Sequence, residues 1–137
     1  MTAREIIDKV RALNLPKKSY IVFGSCPLAI AGIREANDID LYLTPEAYEV
    51  LKARGWRELK KGPRDVPIVY DVFEAHNNWN FGKSYNPTLT ELQATATIIE
   101  DVPFASLEEV RKWKISSGRP KDLTDVELID KYLLSAM

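Results

Sequence analysis

At the start of the chain, apolar residues recur at helical spacing (Ile6, Ile7, Val10, Leu13) and predict an amphipathic helix that Pro16 ends. The pattern then changes. Residues 20–23 (YIVF) are a continuous apolar run with β-branched members, as expected of a short buried strand. Gly24-Ser25 turns the chain into a short helix, with Pro27 near its start and Gly32 at its end. Residues 38–43 read as a second strand, and Thr44-Pro45 caps and starts a helix reaching about Arg54, with Gly55 as its stop. Residues 56–59 suit a short strand and 60–65 (KKGPRD) a basic turn.

Residues 67–73 (PIVYDVF) read as one almost continuous apolar strand with Asp71 inside it, and residues 76–89 (HNNWNFGKSYNPTL) as irregular. Residues 94–99 and 102–105 read as strands around a turn at Glu100-Asp101. Ser106 with Glu109 three residues on forms a capping-box pattern that opens a helix to about Ser117. Gly118 and Pro120 break it, and a last helix carries Leu123, Val126, Leu128, Ile129 and Leu133. The order predicts an α/β (α+β) domain: a mixed β-sheet with helices mostly on one face and two helices at its C-terminal end, in a single domain over 1–137.

Composition narrows the function more than the fold. Lys and Arg number 19 against 20 Asp and Glu, a net charge of −1, which lacks the footprint of a strongly basic nucleic-acid module. The one cysteine, Cys26, excludes an internal disulfide and a thiolate metal cluster, and reads as a small buried apolar residue. No apolar run approaches the roughly 18–20 residues of a membrane-spanning helix, and residues 1–15 lack the apolar centre of a secretion signal. The expected address is the cytoplasm.

Against this background three acids stand out. Asp38 and Asp40 are two residues apart on a predicted strand, so they share a face and repel each other. Taken singly, Asp38 reads as a cap or turn residue and Asp40 as a solvent-facing one. Asp71 sits between Tyr70 and Val72 in a run too apolar to have a wet face, where an ionised carboxylate costs several kcal/mol unless paired or metal-bound. Together, with no matching lysine in those strands, the three suggest a divalent cation. Oxygen donors without His or Cys point to Mg²⁺ or Mn²⁺ rather than zinc. The Gly24-Ser25 turn before a helix lets backbone N–H groups and a hydroxyl approach phosphate, a weak signal that the acids strengthen.

The remaining polar residues each have a plainer reading. Lys114 points along the buried side of its helix, as a snorkelling side chain or a contact to phosphate or an acid. Arg34 can reach phosphate or pair with Glu35 or Asp38. Arg119, Lys121 and Asp122 flank the helix break, as a cap with surface ion pairs or as part of the site. His76, the one histidine, reads as a hydrogen-bonding surface residue in an Asn-rich loop. Trp79, Phe81 and Tyr85 read as pins for that loop, with base stacking as the alternative.

The GS turn, a spacer of twelve, D-I-D and a later acid between apolar residues resemble the polymerase-β-like nucleotidyltransferase superfamily. They are most similar to its small bacterial and archaeal members, often found in toxin–antitoxin pairs. Leu28, Ala29, Gly32 and Arg34 agree between the landmarks; Lys114, Arg119, Lys121, Asp122 and Asp125 match polar positions of the closing two-helix segment. Cys26-Pro27 departs from the small residues that follow the turn in many relatives, and Pro27 removes an N–H donor.

The resemblance implies a metal-dependent transfer of a nucleoside monophosphate from a triphosphate, expected to be ATP, to an acceptor hydroxyl with release of pyrophosphate. Gly24 and Ser25 would hold the triphosphate with Arg34, Lys114 and Lys121; Asp38, Asp40 and Asp71 would bind Mg²⁺ or Mn²⁺, and Asp71 would also act as base. RNA, a protein and a small molecule all stay open as acceptor, as does a second copy or a partner chain. Two other readings remain. One is a non-catalytic nucleotide-binding or partner-binding domain of a toxin–antitoxin-like pair. The other is a phosphohydrolase, disfavoured because the D-I-D lies in the second strand.

Overall fold

The computed structural model of the chain describes residues 1–136. Its elements are α1 (Ala3–Ala12), β1 (Tyr20–Phe23), α2 (Cys26–Ile30), β2 (Ile39–Leu43), α3 (Pro45–Ala53), β3 (Arg57–Glu58) and β4 (Ile68–Tyr70). They continue with β5 (Phe73–His76), α4 (Leu89–Ala94), β6 (Thr97–Ile99), β7 (Val102–Phe104), α5 (Leu107–Ser117) and α6 (Pro120–Ser135). The strands form one seven-stranded sheet in the order β3-β4-β5-β2-β1-β7-β6. It is mixed: β1 pairs antiparallel with β2, while β2 with β5 and β1 with β7 run parallel.

Hydroxyl caps set several helix starts. Thr2, Thr44, Thr88 and Ser106 each accept a hydrogen bond from the backbone N–H three residues on, satisfying a donor the helix itself leaves unpaired. The one before α4 is a full capping box, Thr88 with Glu91, inside a stretch whose composition reads as irregular. At α5 only half of the expected box forms, since the Glu109 side chain turns to Tyr85 and Lys112 instead.

All four residues of β1 are buried, so the strand needs cover on both sides. Tyr20 and Val22 face one apolar cluster with Ile6, Ile7 and Val10 of α1 and Leu51 of α3. Ile21 and Phe23 face the other, with Leu92 of α4, Val110 of α5 and Ile129 of α6. The helices are thus divided between the faces, α1 and α3 against α4 to α6, where the sequence pattern placed them mostly on one. Both C-terminal helices lie on the second face, and the site forms there.

One predicted strand is two. Residues 67–73 do not run straight: Asp71 adopts φ 52°, and a tight turn at Asp71-Val72 folds β4 back on β5 with Tyr70 opposite Phe73. Aspartate tolerates this left-handed backbone better than most residues, which suits it to a hairpin tip. Consequently Phe73 to His76 becomes a new strand, and a parallel neighbour of β2.

Candidate active site

The parallel pairing of β2 with β5 sets Asp40 beside Glu74 and Tyr42 beside His76. Alternation along each strand puts these four on one face of the sheet, opposite the one buried by Ile39, Leu41 and Ala75. One ligand atom each from Asp40, Glu74 and His76 lies within 4.8 Å of the others. Asp38, exposed just before β2, opens onto the same cleft of about 450 Å³. Burial pushes the Asp40 carboxyl up to about 8, and the charges of Asp38 and Glu74 push in the same direction. Lys61, paired with Glu74, is the cation that pulls the other way.

The turn before α2 is built around this acid. Gly24 has φ +68°, and a Cβ placed on it would stand 2.1 Å from Oδ2 of Asp40. Only glycine allows both the backbone angle and the approach. Ser25 follows as the residue preceding α2, and its hydroxyl accepts hydrogen bonds from Arg34 Nη2 at 2.9 Å and Lys114 Nζ at 3.3 Å. The Cys26 thiol is buried and pushed well above its ordinary pKa, first by burial, which makes it inert.

A second set of charges lines the same cleft. Lys114, 2 % exposed, lies 2.8 Å from Asp125 and 3.6 Å from Asp122. Arg34 holds Asp125 with two hydrogen bonds of 2.8 and 2.7 Å, and Arg119 donates to Asp122 at 2.7 Å. Burial would raise both aspartates, but the hydrogen bonds from Arg34 and Lys114 to Asp125, and from Arg119 and Ser117 to Asp122, hold them below the usual carboxylate range. Lys114 is therefore a buried, paired lysine rather than a snorkelling one. Arg34 pairs with Asp125 in α6, beyond the reach of a local reading. Lys121 lines the cleft from the start of α6.

Asp71 does not reach this site. It stands at the hairpin tip, its side chain 50 % exposed and paired with Lys9 at 3.2 Å. The third acid brought to the cleft is Glu74, three residues later. Its own signal was present, since Phe73 and Ala75 flank it and the pattern apolar–acid–apolar is the one sought. The bend that releases it from the preceding run was not visible. His76 differs from expectation as well: it is 7 % exposed and lines the cleft. Burial lowers its pKa, which keeps the ring neutral. Trp79 does pin its loop, stacked on Tyr42 and packed at an angle against Phe23 and Trp113.

Neither a protein-family model nor a curated protein matches the chain. Among solved structures, the crystal structure of ANT(2″)-Ia in complex with adenylyl-2″-tobramycin is similar. It is 15 % identical with a TM-score of 0.55, over 95 % of this chain and 86 % of that one. The likeness shows a shared fold, a mixed sheet with two helices at its C-terminal end. No helix among the described residues is long and apolar enough to cross a membrane.

Proposed function

We propose that the chain is a divalent-metal-dependent nucleotidyltransferase, moving a nucleoside monophosphate from a triphosphate, ATP in the first instance, to an acceptor hydroxyl. The observation that carries this reading is one cleft lined by two sets of groups: Asp38, Asp40 and Glu74, and the Ser25–Arg34–Lys114 cluster. Asp40 and Glu74 fit a divalent cation, because their donor atoms converge and Asp40 carries an elevated pKa with exposed Lys61 nearby to relieve it; Asp38 opens onto the same cleft.

A divalent ion held by Asp38, Asp40 and Glu74 would neutralise charge at the reacting phosphate. The chain's own groups do the rest. Gly24 and Ser25, with Arg34, Lys114 and Lys121, bind the triphosphate, and Ser25 exchanges its present partners for phosphate oxygens. Glu74 takes over the base role that the motif assigned to Asp71 and accepts the proton of the acceptor hydroxyl. The acceptor oxygen bonds to the α-phosphorus, the bond to the bridging oxygen breaks, and pyrophosphate leaves with that electron pair. The aromatic side chains Trp113, Phe81 and Tyr85 border the cleft where a base would stack.

A small hydroxyl-bearing acceptor fits a cleft of this size better than a long nucleic-acid track, and the neighbour's bound adenylyl-2″-tobramycin is an acceptor product of that kind. The test is transfer of label from α-labelled triphosphates with Mg²⁺ or Mn²⁺ to small aminoglycosides, RNA and protein in parallel. Unchanged transfer after Glu74→Gln would refute the role assigned to that residue. Absence of label on all three acceptor classes would refute the reaction.

A further inference from the structure

The donor set at the end of β2 and β5 is not all oxygen. His76 is the next inward-facing residue after Glu74 on β5, and one of its ring nitrogens falls in the same convergent group as the two carboxylates. Its side chain is more than nine-tenths buried, lines the cleft, and has no hydrogen-bond partner among the described residues. The buried side-chain polar atoms without a partner among the described residues are Asp65 Oδ1 and Trp79 Nε1, so the imidazole nitrogens keep an opening to the cleft where a lone pair can meet a ligand. The surroundings close most other routes. Trp79 and Phe81 meet the ring edge-on at 4.9 and 5.5 Å, leaving the cleft side open.

Metal-bound imidazoles nearly always rest their second nitrogen on a carboxylate or carbonyl. Asp65 stands beside Nδ1 at 3.7 Å, and its Oδ1 is shut off from solvent without a hydrogen bond. A small inward shift on ion binding would satisfy both groups at once. Resting on the metal-dependent reading above, we propose that His76 is a nitrogen ligand of the ion held by Asp40 and Glu74. The site is then a mixed nitrogen–oxygen one that selects first-row transition dications such as Mn²⁺ over Mg²⁺. Magnesium prefers oxygen and water, whereas an imidazole donor raises affinity along the transition series.

The chain holds a single histidine, so labelling with [¹⁵N]histidine marks this one ring in untagged protein. Mn²⁺ is titrated into nucleotide-free protein and followed by the free-ion paramagnetic resonance signal, with pulsed resonance reporting nitrogen coupling and Mg²⁺ as competitor. The expected result is ¹⁵N coupling at one saturable site that Asp40→Asn abolishes. In His76→Leu, Mn²⁺ affinity should fall about 10–100-fold while Mg²⁺ affinity changes much less. Thermal melts check that the variant folds, and the wild-type coupling decides the matter if it does not. Mn²⁺ bound at an Asp40-dependent site without ¹⁵N coupling overturns the proposal and leaves the transferase reading intact. Absence of any saturable Mn²⁺ site overturns both.

Discussion

The cleft has two acidic clusters, and they are acidic in opposite ways. Asp122 and Asp125 come with Lys114, Arg34 and Arg119 within ion-pair distance, and their carboxyls are held below the ordinary range. Asp40 and Glu74 have only the partly exposed Lys61, and the Asp40 carboxyl is pushed up. Both sets line one cleft, so the contrast comes from partners and not from burial alone. A compensated cluster belongs to the structure; an uncompensated one waits for charge from outside.

The largest effect expected from this contrast is on transfer. Asp40→Asn should lower metal-dependent transfer by at least about 100-fold, as for loss of a main electrostatic stabiliser. It should simultaneously raise the melting temperature of the metal-free protein, and the two readings together separate an uncompensated acid from a structural one. In the other cluster, Lys114→Met should destabilise the fold by about 1–3 kcal/mol, because it removes one charged partner from two buried carboxylates that keep Arg34 and Arg119. Urea denaturation measures this, and the double variant Lys114→Met with Asp125→Leu should recover part of the loss.

Acidity gives a subtler separation. The folded protein holds a proton on Asp40 more tightly than the unfolded chain does, so the metal-free protein should lose stability as pH rises from the carboxylate range through about 8. Saturating divalent ion should reverse that slope, and Asp40→Asn should flatten it. Asp122 and Asp125 act with the opposite sign: their contribution is present above the ordinary carboxylate pKa and is lost as pH falls below it. Melting curves from pH 3 to 9, with and without Mn²⁺, resolve the two. The smallest effect belongs to Asp71→Asn, which should cost less than about 1 kcal/mol and leave transfer unchanged, since its ion pair is exposed and asparagine tolerates the same backbone angle.

How much of this was legible along the chain depended on whether the deciding interaction was local. The strand–turn–helix of residues 20–30 and the pair Asp38 and Asp40 follow from patterns a few residues long, and the structure brings Ser25, Asp38 and Asp40 to one cleft with Gly24 packed against the Asp40 carboxylate. Asp71 misled because a turn can hide in apolar sequence: one residue with positive φ reverses the chain, and Val72 and Phe73 conceal it. Glu74 enters through a parallel pairing between strands more than thirty residues apart, which periodicity cannot report. The same holds for Arg34 with Asp125 and for the burial of His76, whose loop-like neighbours Asn77 and Asn78 suggested solvent. The helix after Thr88 was readable from its Thr-x-x-Glu spacing, yet the Asn and Pro before it outweighed that signal.

Gly24 carries a consequence for how such a site can change over time. Because the vacancy at its missing side chain is filled by the Asp40 carboxylate, the loop and the acid behave as one interlocked part. Replacing the glycine would dislodge a residue sixteen positions away in the sequence, so neither can be remodelled by a single step without spoiling the other. Innovation in this chain is therefore freest along the rim where the aromatic loop and the last helix border the cleft.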